Sequence, residues 1–124
     1  MNLSLARPTE CRQGNPFVTP FETMIGWTTL PDRAAADAFA RALVEKRLAA
    51  CVQVSGPIES TYFWDGRIES TTEWRLVAKF AASCEPEILA WVEKHHPYDV
   101  PQWVCLRIET GSEKYLNWIV ENST

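Results

Sequence analysis

Residues 58–80 read IESTYFWDGRIESTTEWRLVAKF, and this stretch decides the fold. Asp65-Gly66 divides two strand-like runs, and Asp-Gly is the signature of a tight type I′ hairpin turn because both central positions need φ > 0. Beyond the turn, Ile68, Ser70, Thr72, Trp74, Leu76, Ala78 and Phe80 fall on one face, while Arg67, Glu69, Thr71, Glu73, Arg75, Val77 and Lys79 fall on the other. Such alternation far outlasts an ordinary strand of ~5–6 residues. At ~3.3 Å per residue the run from Arg67 to Phe80 spans on the order of 45 Å. A compact domain of ~100 residues is only roughly 35 Å across. The hairpin must bend or reach past its own domain. Its second face carries charges of both signs, which suits pairing with another chain and predicts an oligomerisation element.

The rest of the chain fits around that hairpin. At 124 residues it holds one domain with a real core. Hydrophobic residues make up 46% and charged residues 23%, which is ordinary globular usage. A net charge of −4 with no basic run excludes nucleic acid and anionic membrane surfaces as expected partners. No apolar run approaches the ~18 residues of a membrane span. The N-terminus lacks the apolar core of a signal peptide. Cys11, Cys51, Cys84 and Cys105 show no C-x-x-C spacing and are read as reduced thiols, consistent with the cytoplasm.

In chain order, residues 1–20 carry Pro8, Gly14, Pro16 and Pro20 and no periodicity, which predicts a flexible tail or an over-long start and leaves Met1 or Met24 as the true start site. The single domain is expected over residues 21–124. Phe21–Thr29 reads as a strand. Pro31 suits the first turn of a helix, with Asp32 at its N-terminus, an inward stripe of Ala35, Phe39, Ala42 and Leu43 (with Ala38), and Lys46 and Arg47 at its end. Leu48–Ser55 is a second strand halted by Gly56-Pro57. Ser83 is the expected cap of a second helix with Ile88, Leu89 and Val92 facing inward, and His95-His96-Pro97 ends it. Trp103–Ile108 is a strand with Val104, Leu106 and Ile108 on one face. Gly111-Ser112 opens a terminal helix carrying Tyr115, Leu116, Trp118 and Ile119. The order βαββαβ plus a helix is the α+β, ferredoxin-like split βαβ arrangement.

His95-His96 is the one concentrated ligand-type signal. Adjacent helical residues point about 100° apart, so one ring can face the sheet while the other faces solvent or a neighbouring subunit. The pair is either a set of helix-terminal histidines stabilised by the dipole or a source of imidazole ligands for Zn, Cu or Ni. Cys51 has apolar neighbours that favour an inert thiol. Glu73 and Lys79 sit on the charged hairpin face and read as a cross-strand ion network sooner than as a catalytic acid and base. Trp64, Trp74, Trp91, Trp103 and Trp118 are expected as core or interface anchors. No phosphate-loop, dinucleotide or serine-hydrolase motif is present in the sequence, and no catalytic residue is assigned.

The ordered set Thr29-Leu30-Pro31-Asp32, KRLAACVQ from Lys46 to Gln53, IESTYFWDGRI from Ile58 to Ile68, Glu73, Lys79, HHPYDVP from His95 to Pro101, Gly111, and Tyr115-Leu116 with Trp118-Ile119 resembles the CutA family of divalent-cation tolerance proteins. The resemblance runs from about Met24 to Ile119. It implies a ferredoxin-like protomer in a compact homotrimer, with the long hairpin strands pairing between subunits. It also implies a link to copper and other divalent metals, and a cytoplasmic location in bacterial members. Metal ligation in the family is assigned to a cysteine at the end of the first strand and to the histidines of the H-H-P motif. Here the histidines correspond to His95 and His96, and the cysteine position is held by Thr28. The implied site is therefore a weak, imidazole-based one for Cu(II), Zn or Ni, completed by a carboxylate such as Asp99, by water or by a neighbouring subunit. The competing expectation is a trimeric sensor or regulatory scaffold holding a small molecule in clefts between subunits lined by Glu73, Lys79 and Tyr98; a third, ranked last, is an enzyme using one of those residues.

Overall fold

A computed structural model describes residues 22–124; the expected tail and the first residue of the expected opening strand lie outside the described residues. The elements are β1 (Thr23–Leu30), α1 (Arg33–Glu45), β2 (Cys51–Trp64), β3 (Arg67–Ala81), a 3-10 turn (Ala82–Cys84), α2 (Glu85–His95), β4 (Val104–Arg107) and α3 (Glu113–Asn122). They form one four-stranded sheet in the order β2-β3-β1-β4, with β1 antiparallel to both β3 and β4. This is the ferredoxin-like arrangement, extended by the C-terminal helix.

The Asp65-Gly66 turn is present, with φ of 53° and 74°. It joins a hairpin whose strands stay paired from Trp64↔Arg67 back to Cys51↔Lys79. Gly56-Pro57 does not halt the second strand, contrary to expectation. The chain absorbs it as a bulge, with Ser55 opposite Arg75 and Ile58 opposite Glu73, so one 14-residue strand runs through. Gly56 sits hard against the Trp74 ring, a closeness that leaves no room for a side chain.

The β1–β3 register settles which residues share a face. Met24↔Phe80, Gly26↔Ala78, Thr28↔Leu76 and Leu30↔Trp74 lie on the side covered by helices. There Leu30, Leu76, Ala78 and Phe80 form one core with Phe39, Leu43, Ile88 and Val92. Gly26 is needed for packing, because a methyl group there would run into the Trp103 indole. The other face carries Ile25↔Lys79, Trp27↔Val77, Trp27↔Val104 and Ile25↔Leu106. At one end of that face α3 packs on the sheet, placing Lys79 Nζ 5.4 Å from the Tyr115 ring centre. Ala81 N–H donates to Ser123 Oγ at 2.8 Å.

Helix ends account for several departures from expectation. Asp32 is itself the N-cap of α1, its carboxylate accepting from Ala35 N–H at 2.8 Å, so Pro31 stands before the helix and not in its first turn. The buried stripe is Ala36, Phe39, Ala40 and Leu43, with Ala38 outside it. Arg47 closes α1 in the left-handed region at φ 58°, and Leu48 N–H reaches Leu43 O at 3.0 Å. The Arg47 guanidinium donates to Glu121 O at 2.9 Å, tying that turn to α3. Ser83 caps nothing: it lies in the 3-10 turn with its hydroxyl buried, and α2 starts from Cys84 without a side-chain cap. Leu89 turns outward, leaving Ile88 and Val92 as the inward pair. Strand β4 is shorter than expected, and Val104 and Leu106 are 56% and 66% exposed on the protomer.

The turn yields a direct test. Gly66 has open space around it, so only backbone strain opposes a side chain there. Gly66→Val should cost ~1–2 kcal/mol, since a β-branched residue is strongly disfavoured at positive φ. Denaturant unfolding measures this, and an unchanged midpoint would contradict the turn.

Candidate functional site

Strand β1 stops at Leu30, opposite Trp74, whereas β3 continues outward from Glu73 to Arg67. The segment leaving α2 passes the point where β1 ends. His96 is the C-cap of α2, and its extended backbone turns the chain so that the His96 and Tyr98 rings lie 4.9 Å apart. Pro97 enforces that exit, because the residue before proline is pushed out of the α region.

The buried His96 imidazole is held at both nitrogens. Tyr98 N–H donates to Nδ1 at 3.1 Å, which makes Nδ1 an acceptor. Nε2 must then carry the proton, and it donates to Thr29 O at 2.8 Å. The ring edge packs on Phe39, with centres 5.4 Å apart. Burial holds the His96 pKa below the usual histidine value, outweighing the Thr29 carbonyl and the Glu73 charge, which both favour the proton.

Tyr98 extends the chain of contacts to β3, where its hydroxyl donates to Glu73 Oε2 at 2.9 Å. Glu73 is only 7% exposed. Burial pushes the Tyr98 phenol well above its ordinary pKa, and the bond to Glu73 and that group's charge push the same way. Tyr98 therefore stays a donor at any physiological pH. Asp32 and Tyr62 add smaller influences on the same phenol, so β2 and the start of α1 also face this site.

The sequence-derived candidates divide into three places. Glu73, Tyr98 and His96 come together as one hydrogen-bonded chain. His95 lies outside it, exposed, with its ring 4.6 Å from that of Trp91. Lys79 lies six residues from Glu73 on β3, roughly 20 Å away at ~3.3 Å per residue, against Tyr115 on α3. Asp99 is exposed beside the loop. The Thr29 carbonyl is a functional group that residue-type reasoning could not select, since every residue carries one. Thr28 is buried on the helix-covered face, and its hydroxyl has no hydrogen-bond partner among the described residues. Among the described residues no three His, Cys, Asp or Glu side chains are grouped to hold a metal ion. The described residues of one protomer thus do not form a tight metal centre.

The neutral His96 makes a pH prediction. Its folded-state pKa lies below that of the unfolded chain, so the unfolded chain binds the extra proton first. The His96 contribution to stability is complete above pH ~6.5 and is lost as pH falls toward the folded pKa. Urea unfolding at a series of pH values should show a decline below ~6.5 that is shallower in His96→Gln. Equal slopes in the two proteins would remove His96 as its cause.

Comparison with known proteins follows the same residues. The family described as CutA1 divalent ion tolerance protein matches residues 24–122. "Protein CutA, chloroplastic" of Arabidopsis thaliana is 38% identical over 102 residues, covering 82% of this chain and 56% of that protein. The chain thus spans little more than half the length of that plant relative. The divalent-cation tolerance protein CutA of Thermus thermophilus is 39% identical over 95 residues, covering 77% of this chain and 92% of that one. Among solved structures, the Thermus thermophilus protein superposes with a TM-score of 0.80 at 36% identity, over 82% of this chain and 99% of that chain. CutA1 from Oryza sativa gives 0.81 at 31% identity, over 83% and 94%. With the family match spanning residues 24–122 and relatives 38% and 39% identical over most of its length, the chain belongs to the CutA1 divalent ion tolerance protein family.

Proposed function

We propose that the protein works as a homotrimeric divalent-cation tolerance protein of the cytoplasm, with residues 21–124 as one domain, acting by binding and not by catalysis. The observation that carries the assembly is the uncovered apolar surface. Val104 and Leu106 stand exposed on the open sheet face beside Trp27 and Val77. At the hairpin tip Phe63 is 76%, Ile68 70% and Trp64 51% exposed. These two exposed apolar patches, one on β4 and one at the hairpin tip, support interaction surfaces. The outer edges of β2 and β4 differ, so pairing one with the other is head-to-tail, a geometry that suits a cyclic assembly such as a trimer and not a twofold dimer.

Metal binding in this reading is weak and copper-compatible, and it falls unequally on the two histidines. His95 offers an exposed imidazole. His96 joins as a ligand only by giving up Thr29 or Tyr98. Without a thiolate, imidazole and water suit Cu(II), Zn or Ni and disfavour Cu(I). A second reading, a regulatory scaffold holding a small molecule between protomers, draws its support from the buried Glu73–Tyr98 pair.

Two measurements test the proposal. Light scattering on the eluting protein should give three times the chain mass at micromolar concentration, and a monomer would overturn the assembly. Calorimetry with Cu(II) should show affinity falling in His95→Ala, and falling as pH drops through ~6.5 as free imidazole protonates. His96→Ala should lower stability more than it lowers metal affinity. Equal copper affinity in wild type and in the double alanine variant would leave the histidines no part in metal binding.

A further inference from the structure

Glu73 is a buried carboxylate with too few partners. Among the described residues its one hydrogen bond comes from the neutral Tyr98 hydroxyl. The ion pairs among the described residues are Arg33–Asp37, Arg41–Glu45 and Arg107–Glu22, and none reaches Glu73. Arg33 packs its guanidinium 5.1 Å from the ring centre of Trp74, on the opposite strand face from Glu73, and its Nε bonds Asp37 at 3.2 Å. The other charged group acting on Tyr98, Asp32, has the same sign as Glu73. A carboxylate can accept about four hydrogen bonds, and burying its charge costs several kcal/mol unless a cation compensates.

The chain carries a cation placed to travel. Arg67 is exposed, belongs to none of those ion pairs, and opposite it stands Trp64 at the end of the hairpin. It shares a strand face with Glu73 but is six residues away, roughly 20 Å at ~3.3 Å per residue, beyond the reach of its own Glu73. Phe63, Trp64 and Ile68 around it are the uncovered apolar residues of the tip. Trp64, paired with Arg67 and on the same face, is half exposed, whereas Phe63 and Ile68 point to the opposite face, so a surface that covers Trp64 also receives Arg67.

We infer that Arg67 of a second copy docks on Glu73, so that the Glu73–Tyr98 pair is a guanidinium receptor completed only in the assembly. This rests on the homotrimer reading and names the contact that fixes its register. Tyr98 and His96 act as positioning residues: the Thr29 carbonyl orients His96, His96 orients the Tyr98 backbone, and the Tyr98 hydroxyl donates to Oε2 of Glu73, leaving Oε1 for the donor of an arginine.

The test is a double-mutant cycle on the full chain with Glu73→Gln, Arg67→Gln and the pair. Glu73→Gln keeps an acceptor for Tyr98 and removes only the charge. Subunit dissociation is read by sedimentation on dilution, and mass by light scattering. Each single substitution should raise the dissociation constant about tenfold or more, and the double variant should be no worse than the weaker single. A trimeric wild type in which Glu73→Gln is as tight or tighter, or in which the two effects simply add, overturns the ion pair and leaves the trimer standing. A monomeric wild type removes both. If free ethylammonium or L-arginine raises the melting temperature of wild type but not of Glu73→Gln, while Arg67→Gln assembles normally, the receptor takes a free cation and the second-copy assignment is wrong.

Discussion

Strand β1 is eight residues long and its partner β3 is fifteen, and most of what is distinctive in this molecule depends on that mismatch. Where both strands are present, from Trp74 to Ala81, β3 is backed on each side and its inward residues Leu76, Ala78 and Phe80 sit in the core. Where β1 is missing, β3 pairs with β2 alone, and Ile68 of β3 stays exposed with Phe63 and Trp64 of β2. An isolated two-stranded ribbon is marginal in water, so the outer hairpin needs another surface to be stable. The bulge at Ser55/Ile58 falls at this boundary, where the ribbon leaves the sheet.

The same boundary creates the buried polar chain. With no strand beyond Leu30, the gap beside Glu73 is filled by the segment leaving α2, and a polar carboxylate becomes tolerable there because Tyr98 can reach it. His96 links this filling segment back to the last turn of β1 through Thr29. Its neutral form is the one that satisfies both contacts, since a protonated ring would present two donors and lose the bond from Tyr98 N–H. Adjacent histidines in the sequence thus have unlike roles: His96 is a clamp between elements, while His95 is a surface imidazole on the Trp91 ring.

Membership of the CutA1 family explains the arrangement without specifying the chemistry. The relatives' names attach divalent-cation tolerance to those proteins, and one solved relative is titled periplasmic while a plant one is named chloroplastic. No helix among the described residues is long and apolar enough to cross a membrane. What this chain adds is Thr28 where the family resemblance expects a thiol, with its hydroxyl buried on the helix-covered face.

The elements were legible in the sequence wherever one local rule acted alone. Asp65-Gly66 announced its turn through φ, the alternation after it announced a long strand, and the H-H-P run ended its helix because proline restricts the residue before it. Capping misled where two rules competed. Ser83 has the right side chain for a cap, but the 3-10 turn places it one residue early, and Pro31 yielded to Asp32, whose carboxylate could reach Ala35 N–H. Gly56-Pro57 looked like a strand end, and only the partner strand, with room for an extra residue opposite Trp74, made it a bulge. The site was legible as residue types and not as a constellation. Glu73, His96 and Tyr98 are brought together by β1 ending at Leu30, a long-range event that no local pattern encodes. Lys79 shares Glu73's strand face, but the ~3.3 Å rise per residue carries it to α3 at the far end of the sheet. Local backbone preferences wrote the elements into the sequence, whereas contacts between residues distant along the chain are decided only when those elements pack.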